Sequence, residues 1–111
     1  MVSFVEVARL SELPDGEMKQ VTVRGDLVGL YRVGEDVFAM NDICTHEEAY
    51  LTEGEFDPEE FEVECPLHGS RFNVVDGSVR ILPATKPEPI YEVKLDGDVI
   101  LIGSEIDPRS E

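Results

Sequence analysis

Tyr91-Glu92-Val93-Lys94-Leu95-Asp96-Gly97-Asp98-Val99-Ile100-Leu101-Ile102 is the stretch that decides the fold. β-Branched and aromatic residues run on both sides of an Asp-Gly turn, the strongest short-range signal for a hairpin. Upstream the same grammar repeats. Phe72-Asn73-Val74-Val75 and Ser78-Val79-Arg80-Ile81 flank Asp76-Gly77. Gly34-Glu35-Asp36 turns Val28-Gly29-Leu30-Tyr31-Arg32-Val33 into Val37-Phe38-Ala39-Met40, and Gly25-Asp26 reads as the turn after Val21-Thr22-Val23.

No helix of ten or more residues is evident. Leu10-Ser11-Glu12-Leu13 reads as a turn ended by Pro14. Thr45 to Leu51 is too short to resolve as helix or loop, and Asp57-Pro58-Glu59-Glu60 reads as an acidic turn or one helical turn. Pro83, Pro87 and Pro89 mark an extended loop with few backbone donors. Residues 104–111 read as a solvated tail. Short strands at turn-punctuated intervals predict an all-β class, a small sandwich or barrel.

The chain of 111 residues suits one domain, residues 1–111, and its 41% hydrophobic content suffices for a modest core. Nine basic against 25 acidic residues leave a formal charge of −16, which argues against nucleic acid or an anionic membrane as partner. A partner with a basic docking face and plain solubility both remain open as the reason for that charge. No apolar run approaches the roughly 20 residues that cross a bilayer. Met1 to Val7 lacks a basic segment followed by an apolar one, so no secretory signal is expected. Two cysteines do not make a disulfide scaffold, and a reducing cytoplasm is the expected setting.

The specific chemistry lies between residues 44 and 68. Cys44-Thr45-His46 is a C-x-H pair and Cys65-Pro66-Leu67-His68 a C-x-x-H pair, and together they contain every cysteine and histidine of the chain. One buried Cys or His is ordinarily a packing residue. Two mixed pairs that exhaust the supply of soft ligands point instead to a metal site. Tetrahedral Cys₂His₂ zinc is one occupant. Zinc fingers, however, usually group Cys with Cys and His with His, whereas each loop here contributes one of each. A two-iron cluster between the loops suits that pattern, each loop giving its cysteine to one iron and its histidine to the other.

Cys44-Thr45-His46 followed by Cys65-Pro66-Leu67-His68-Gly69-Ser70 resembles the Rieske [2Fe–2S] signature. The surroundings agree. Leu51-Thr52-Glu53-Gly54-Glu55 precedes the second loop, and Arg71-Phe72-Asn73 leads on to Asp76-Gly77. The stretch from Val33 to Cys44 resembles the strands before the first loop of small Rieske ferredoxins, and Pro83 to Tyr91 resembles their proline-rich loop. The likeness covers roughly residues 3 to 103. It implies an antiparallel β sandwich or barrel with a small cluster-binding subdomain of two loops, at about residues 41–83. It further implies one [2Fe–2S] cluster, with Cys44 and Cys65 on one iron and His46 and His68 on the other. Neutral imidazole donates less charge than thiolate, so the histidine-bound iron takes the electron more readily.

By the same resemblance the protein is an electron carrier, not an enzyme. It takes electrons from a flavin-dependent reductase and passes them to an acceptor such as a ring-hydroxylating oxygenase. A Rieske-type small subunit of an assimilatory nitrite reductase is the alternative, and a structural zinc module a more distant one. The extra cysteine pair of respiratory Rieske proteins is absent, Leu67 standing at one of its positions. Ser70 matches a hydroxyl donor of those proteins, and Phe72 stands where they carry a tyrosine. Pro66 and Gly69 either shape the second loop around a sulfur or serve as plain turn residues. With Glu47 and Glu48 directly after a ligand, the expected potential lies in the lower part of the roughly −150 to +300 mV Rieske range. His46 and His68 are expected at the surface, beside an apolar rim that includes Leu67 and Pro83.

Overall fold

The computed structural model describes residues 4–44, 49–67, 69–82 and 87–106. Among these residues ten strands follow one another: β1 (Val5–Arg9), β2 (Met18–Val23), β3 (Asp26–Val33), β4 (Asp36–Asn41), β5 (Glu55–Asp57), β6 (Glu62–Glu64), β7 (Arg71–Asn73), β8 (Val79–Ile81), β9 (Ile90–Asp96) and β10 (Val99–Ile106). Single-turn 3₁₀ helices occupy Leu10–Glu12 and Leu51–Glu53. The larger sheet has the order β1-β10-β9-β4-β3-β2, and the smaller one β5-β6-β7-β8. Every strand pairing within them is antiparallel. The edge strands β1 and β2 of the large sheet touch, so it curls nearly closed.

Side-chain alternation in β3 and β4 explains how two sheets share one wall. Val28 and Leu30 of β3, with Val37 and Ala39 of β4, point into the barrel core beside Ile100 and Ile102. Tyr31 and Met40, the residues on the opposite faces, enter a second core with Leu51, Val63, Phe72 and Val74. A strand with period two can serve both cores only if both of its faces are apolar, and the composition of β3 and β4 meets that requirement. Two aromatic pairs seal the small sheet onto this wall: Tyr31 with Phe56 at 5.1 Å between ring centroids, and Phe38 with Phe61 edge-on at 5.9 Å. Truncating Phe72, fully buried between the sheets, to Ala would cost about 3–5 kcal/mol.

The all-β expectation holds, with three differences of detail. The β2–β3 turn is Arg24-Gly25, one residue earlier than expected, because Asp26 already pairs with Val23. Both turn residues have positive φ, 50° and 89°, as a two-residue turn matching strand twist requires, and glycine meets this without strain. Strands β1, β5 and β6 carry no turn-flanked apolar run and escape a reading based on one. Ser104–Ile106 belong to β10 rather than to a solvated tail. After a bulge the strand resumes with Glu105 opposite Tyr91, whose hydroxyl donates to the Glu105 carboxylate at 3.2 Å. The remainder of that tail lies outside the described residues. Among the described residues no helix is long and apolar enough to cross a membrane.

Candidate metal centre

Both cysteines sit at the feet of loops that rise from the second core. β4 ends at Asn41, and the chain passes through Asp42 and Ile43 to Cys44, whose N–H donates to Ala49 O at 2.9 Å. Ile43 bridges Tyr50 across the same loop. In the second loop, which joins β6 to β7, Cys65 N–H donates to Ser70 O at 2.8 Å and Gly69 N–H to Cys65 O at 3.2 Å. Gly69 has φ 75°, so its place in the tight turn is a backbone requirement, which fits the turn role, one of the two roles expected of it. The stem is fastened from outside. Arg71 donates from Nε to Glu64 at 3.0 Å and pairs with Glu62 at 3.5 Å, across the β6–β7 register.

Cys44 and Cys65 are 4% and 1% exposed and belong to one apolar cluster with Tyr31, Met40 and Phe72, yet neither is in a disulfide. Two buried thiols gathered at the base of two adjacent loops form a donor set that fits thiolate ligation of iron. Exposed apolar residues flank the thiols in sequence, Ile43 just before Cys44 and Leu67 two residues after Cys65. Ile43 is 44% exposed and Leu67 57%, so the loops carry apolar side chains into solvent beside the buried sulfurs. Leu67 is exposed, while the histidines whose rim it is expected to join are not among the described residues. His46, His68 and Pro83, the other residues assigned to the site and its rim, lie outside the described residues, as do Glu47 and Glu48. A hollow of about 390 Å³ beside the first loop is lined by Ile43, Ala49, Tyr50 and Glu53.

One buried polar residue beside the first loop escaped the sequence reading. Asp42, fully buried, accepts hydrogen bonds from Gln20 and Thr52 two residues ahead of Cys44. Nothing in the sequence separates it from the other 24 acids. Close by, burial pushes the Tyr31 hydroxyl well above the ordinary tyrosine range, and the Asp42 and Glu88 carboxylates push it further.

The Rieske [2Fe–2S] domain family matches residues 3–95. The chain belongs to this family. Its cofactor is therefore one Rieske-type [2Fe–2S] cluster. Similar proteins narrow the group further. The ferredoxin component of a naphthalene 1,2-dioxygenase system from Pseudomonas aeruginosa is 34% identical over 99 residues, spanning 89% of this chain and 93% of that protein. The ferredoxin of carbazole 1,9a-dioxygenase from Nocardioides aromaticivorans IC177 superposes with a TM-score of 0.88 at 42% identity, covering 90% of this chain and 96% of the other. A ferredoxin solved in complex with the reduced oxygenase of carbazole 1,9a-dioxygenase gives 0.85 at 32% identity, covering 94% and 95%. These three relatives of the Rieske protein are ferredoxins of oxygenase systems.

Proposed function

We propose that this Rieske protein is the ferredoxin of a ring-hydroxylating oxygenase system, holding its cluster through Cys44, His46, Cys65 and His68. The cysteines would hold one iron and the histidines the other. Held there, the cluster would supply one-electron storage, with a flavin-dependent reductase as the donor and the oxygenase as the acceptor of this carrier. Everything else falls to the chain. The two loop stems fix the cysteines in a dry core, and a dry, rigid surround keeps the reorganisation that accompanies a charge change small. Leu67 and Ile43 shed water from a contact face when a partner arrives, and the net charge of −16 steers a basic partner toward it. A reducing cytoplasm keeps both thiols available as ligands.

The observation that carries this reading is the pair of buried thiols, neither in a disulfide, at the feet of two adjacent loops. The test is anaerobic mixing of the dithionite-reduced protein, freed of excess dithionite, with the oxidised oxygenase component of a naphthalene or carbazole dioxygenase. One electron per ferredoxin should pass, seen as recovery of the oxidised visible spectrum. A reduced protein that keeps its electron before both oxygenases, yet gives it to a nitrite reductase, would favour the alternative assignment.

A further inference from the structure

Two loops that share one cluster must keep their register, and here no disulfide joins them. We propose that the Asp42 carboxylate is the positioning residue that sets this register, tying the foot of the first loop to the segment that leads into the second. This inference rests on the ligand assignment above.

Asp42 is 0% exposed and its two carboxylate oxygens accept three hydrogen bonds. Oδ1 takes the Thr52 N–H at 2.8 Å, while Oδ2 takes the Thr52 hydroxyl at 2.7 Å and the Gln20 side-chain N–H at 2.6 Å. Its backbone is engaged too: the N–H donates to Leu27 O at 3.0 Å, and the carbonyl accepts from Leu51 N–H at 2.8 Å. One residue therefore joins β2, β3 and the 3₁₀ turn at Leu51–Glu53. Thr52 is held from its other side. A Cβ added at Gly29 of β3 would lie 2.9 Å from the Thr52 methyl, so Thr52 is seated on the strand.

From that turn the path to the second loop is short. Gly54 N–H donates to Leu51 O at 2.9 Å. The Gly54 backbone lies so near Glu64 that an added Cβ would be 1.8 Å from the Glu64 carbonyl oxygen, and Cys65 comes next in the chain. Asp42, Thr52, Gly54 and Glu64 thus connect the residue two before Cys44 to the residue one before Cys65. A buried carboxylate is costly unless several donors compensate it, and an apolar residue of similar volume would often be as stable or more so. Its chemistry suits fixing geometry, since its two oxygens accept from several donors at once.

The holoprotein and its Asp42→Ala, Asp42→Asn and Thr52→Val variants test this. The readouts are iron release to excess chelator, the electron paramagnetic resonance of the reduced state, and the unfolding temperature. Asp42→Ala should release iron at least about tenfold faster, the loss equivalent to about one buried hydrogen bond, and should broaden the resonance. Thr52→Val, which removes one donor and keeps the shape, should move both readouts the same way by less. Asp42→Asn should restore slow release, because its amide can donate to the Thr52 hydroxyl and a turned Gln20 can accept from it. Should Asp42→Ala yield no folded holoprotein, Thr52→Val decides. Variants that lower only the unfolding temperature, with release rate and resonance unchanged, overturn the proposal and leave the ligand assignment standing. A wild-type protein without an iron–sulfur cluster overturns both.

Discussion

Gly54 and Glu64 meet backbone to backbone, closely enough that a Cβ on residue 54 would stand 1.8 Å from the Glu64 carbonyl oxygen. No side chain can rotate away from such a clash, because the opposing atom belongs to β6. Gly54→Ala should therefore push apart the segments leading from the first loop and into the second. The expected cost is about 1–3 kcal/mol or more, as for other overpacked sites. Denaturant unfolding measures it, and an unchanged midpoint would show that the two segments separate freely.

The environment of the second loop sets a redox prediction. Ser70 and Phe72 are both fully buried, Phe72 in the same apolar cluster as the two cysteines. Hydrogen bonds to the sulfurs stabilise the more negative reduced state and raise the potential. Ser70→Ala should lower it and Phe72→Tyr should raise it, each by on the order of 60 mV if one charge-assisted bond is lost or gained. Voltammetry on the wild type and both variants reads the signs directly.

Much of this was legible in the sequence, for reasons that differ element by element. The β9–β10 and β3–β4 hairpins are local: a glycine or Asp-Gly turn and two apolar strands contain the whole instruction. β5 and β6 are three residues each, with acids at both ends, and exist because Phe56 and Val63 pack beneath Tyr31 and Phe72. That contact spans a sequence distance no local pattern reports. Cys44 and Cys65 stood out through scarcity. Asp42 did not, since among 25 acids only burial distinguishes it.

Alkaline stability should fall in a defined window. Burial, with Glu105 and Asp26 adding to it, pushes the Tyr91 hydroxyl above the ordinary tyrosine value to about 12, although the Asn41 side chain pulls the other way. Tyr31 is shifted in the same direction. A raised folded-state value means the neutral phenol is favoured in the native protein. That stability is complete below the unfolded tyrosine value and is lost as pH rises from about 10 toward 12. Tyr91→Phe should flatten this decline in part, as read by unfolding temperature across that range. An equally steep decline in the variant would assign the loss to other groups.

Partner encounter should depend on salt. A carrier with a net charge of −16 meets a basic partner faster when the field reaches far, and screening shortens to ~10 Å at 0.1 M salt. Second-order transfer rates should fall several-fold between low and high ionic strength. Rates that stay flat would leave the acids to solubility and docking to apolar residues such as Leu67.

The ligand assignment itself is tested most directly by electron–nuclear double resonance on reduced protein carrying ¹⁵N-labelled histidine. Because His46 and His68 are the only histidines, every strongly coupled ¹⁵N signal must come from them. Two such nitrogens are predicted in the wild type, with His46→Ala and His68→Ala each abolishing the paired pattern. An iron–sulfur signal without coupled histidine nitrogen, or a colourless zinc protein, would contradict the account.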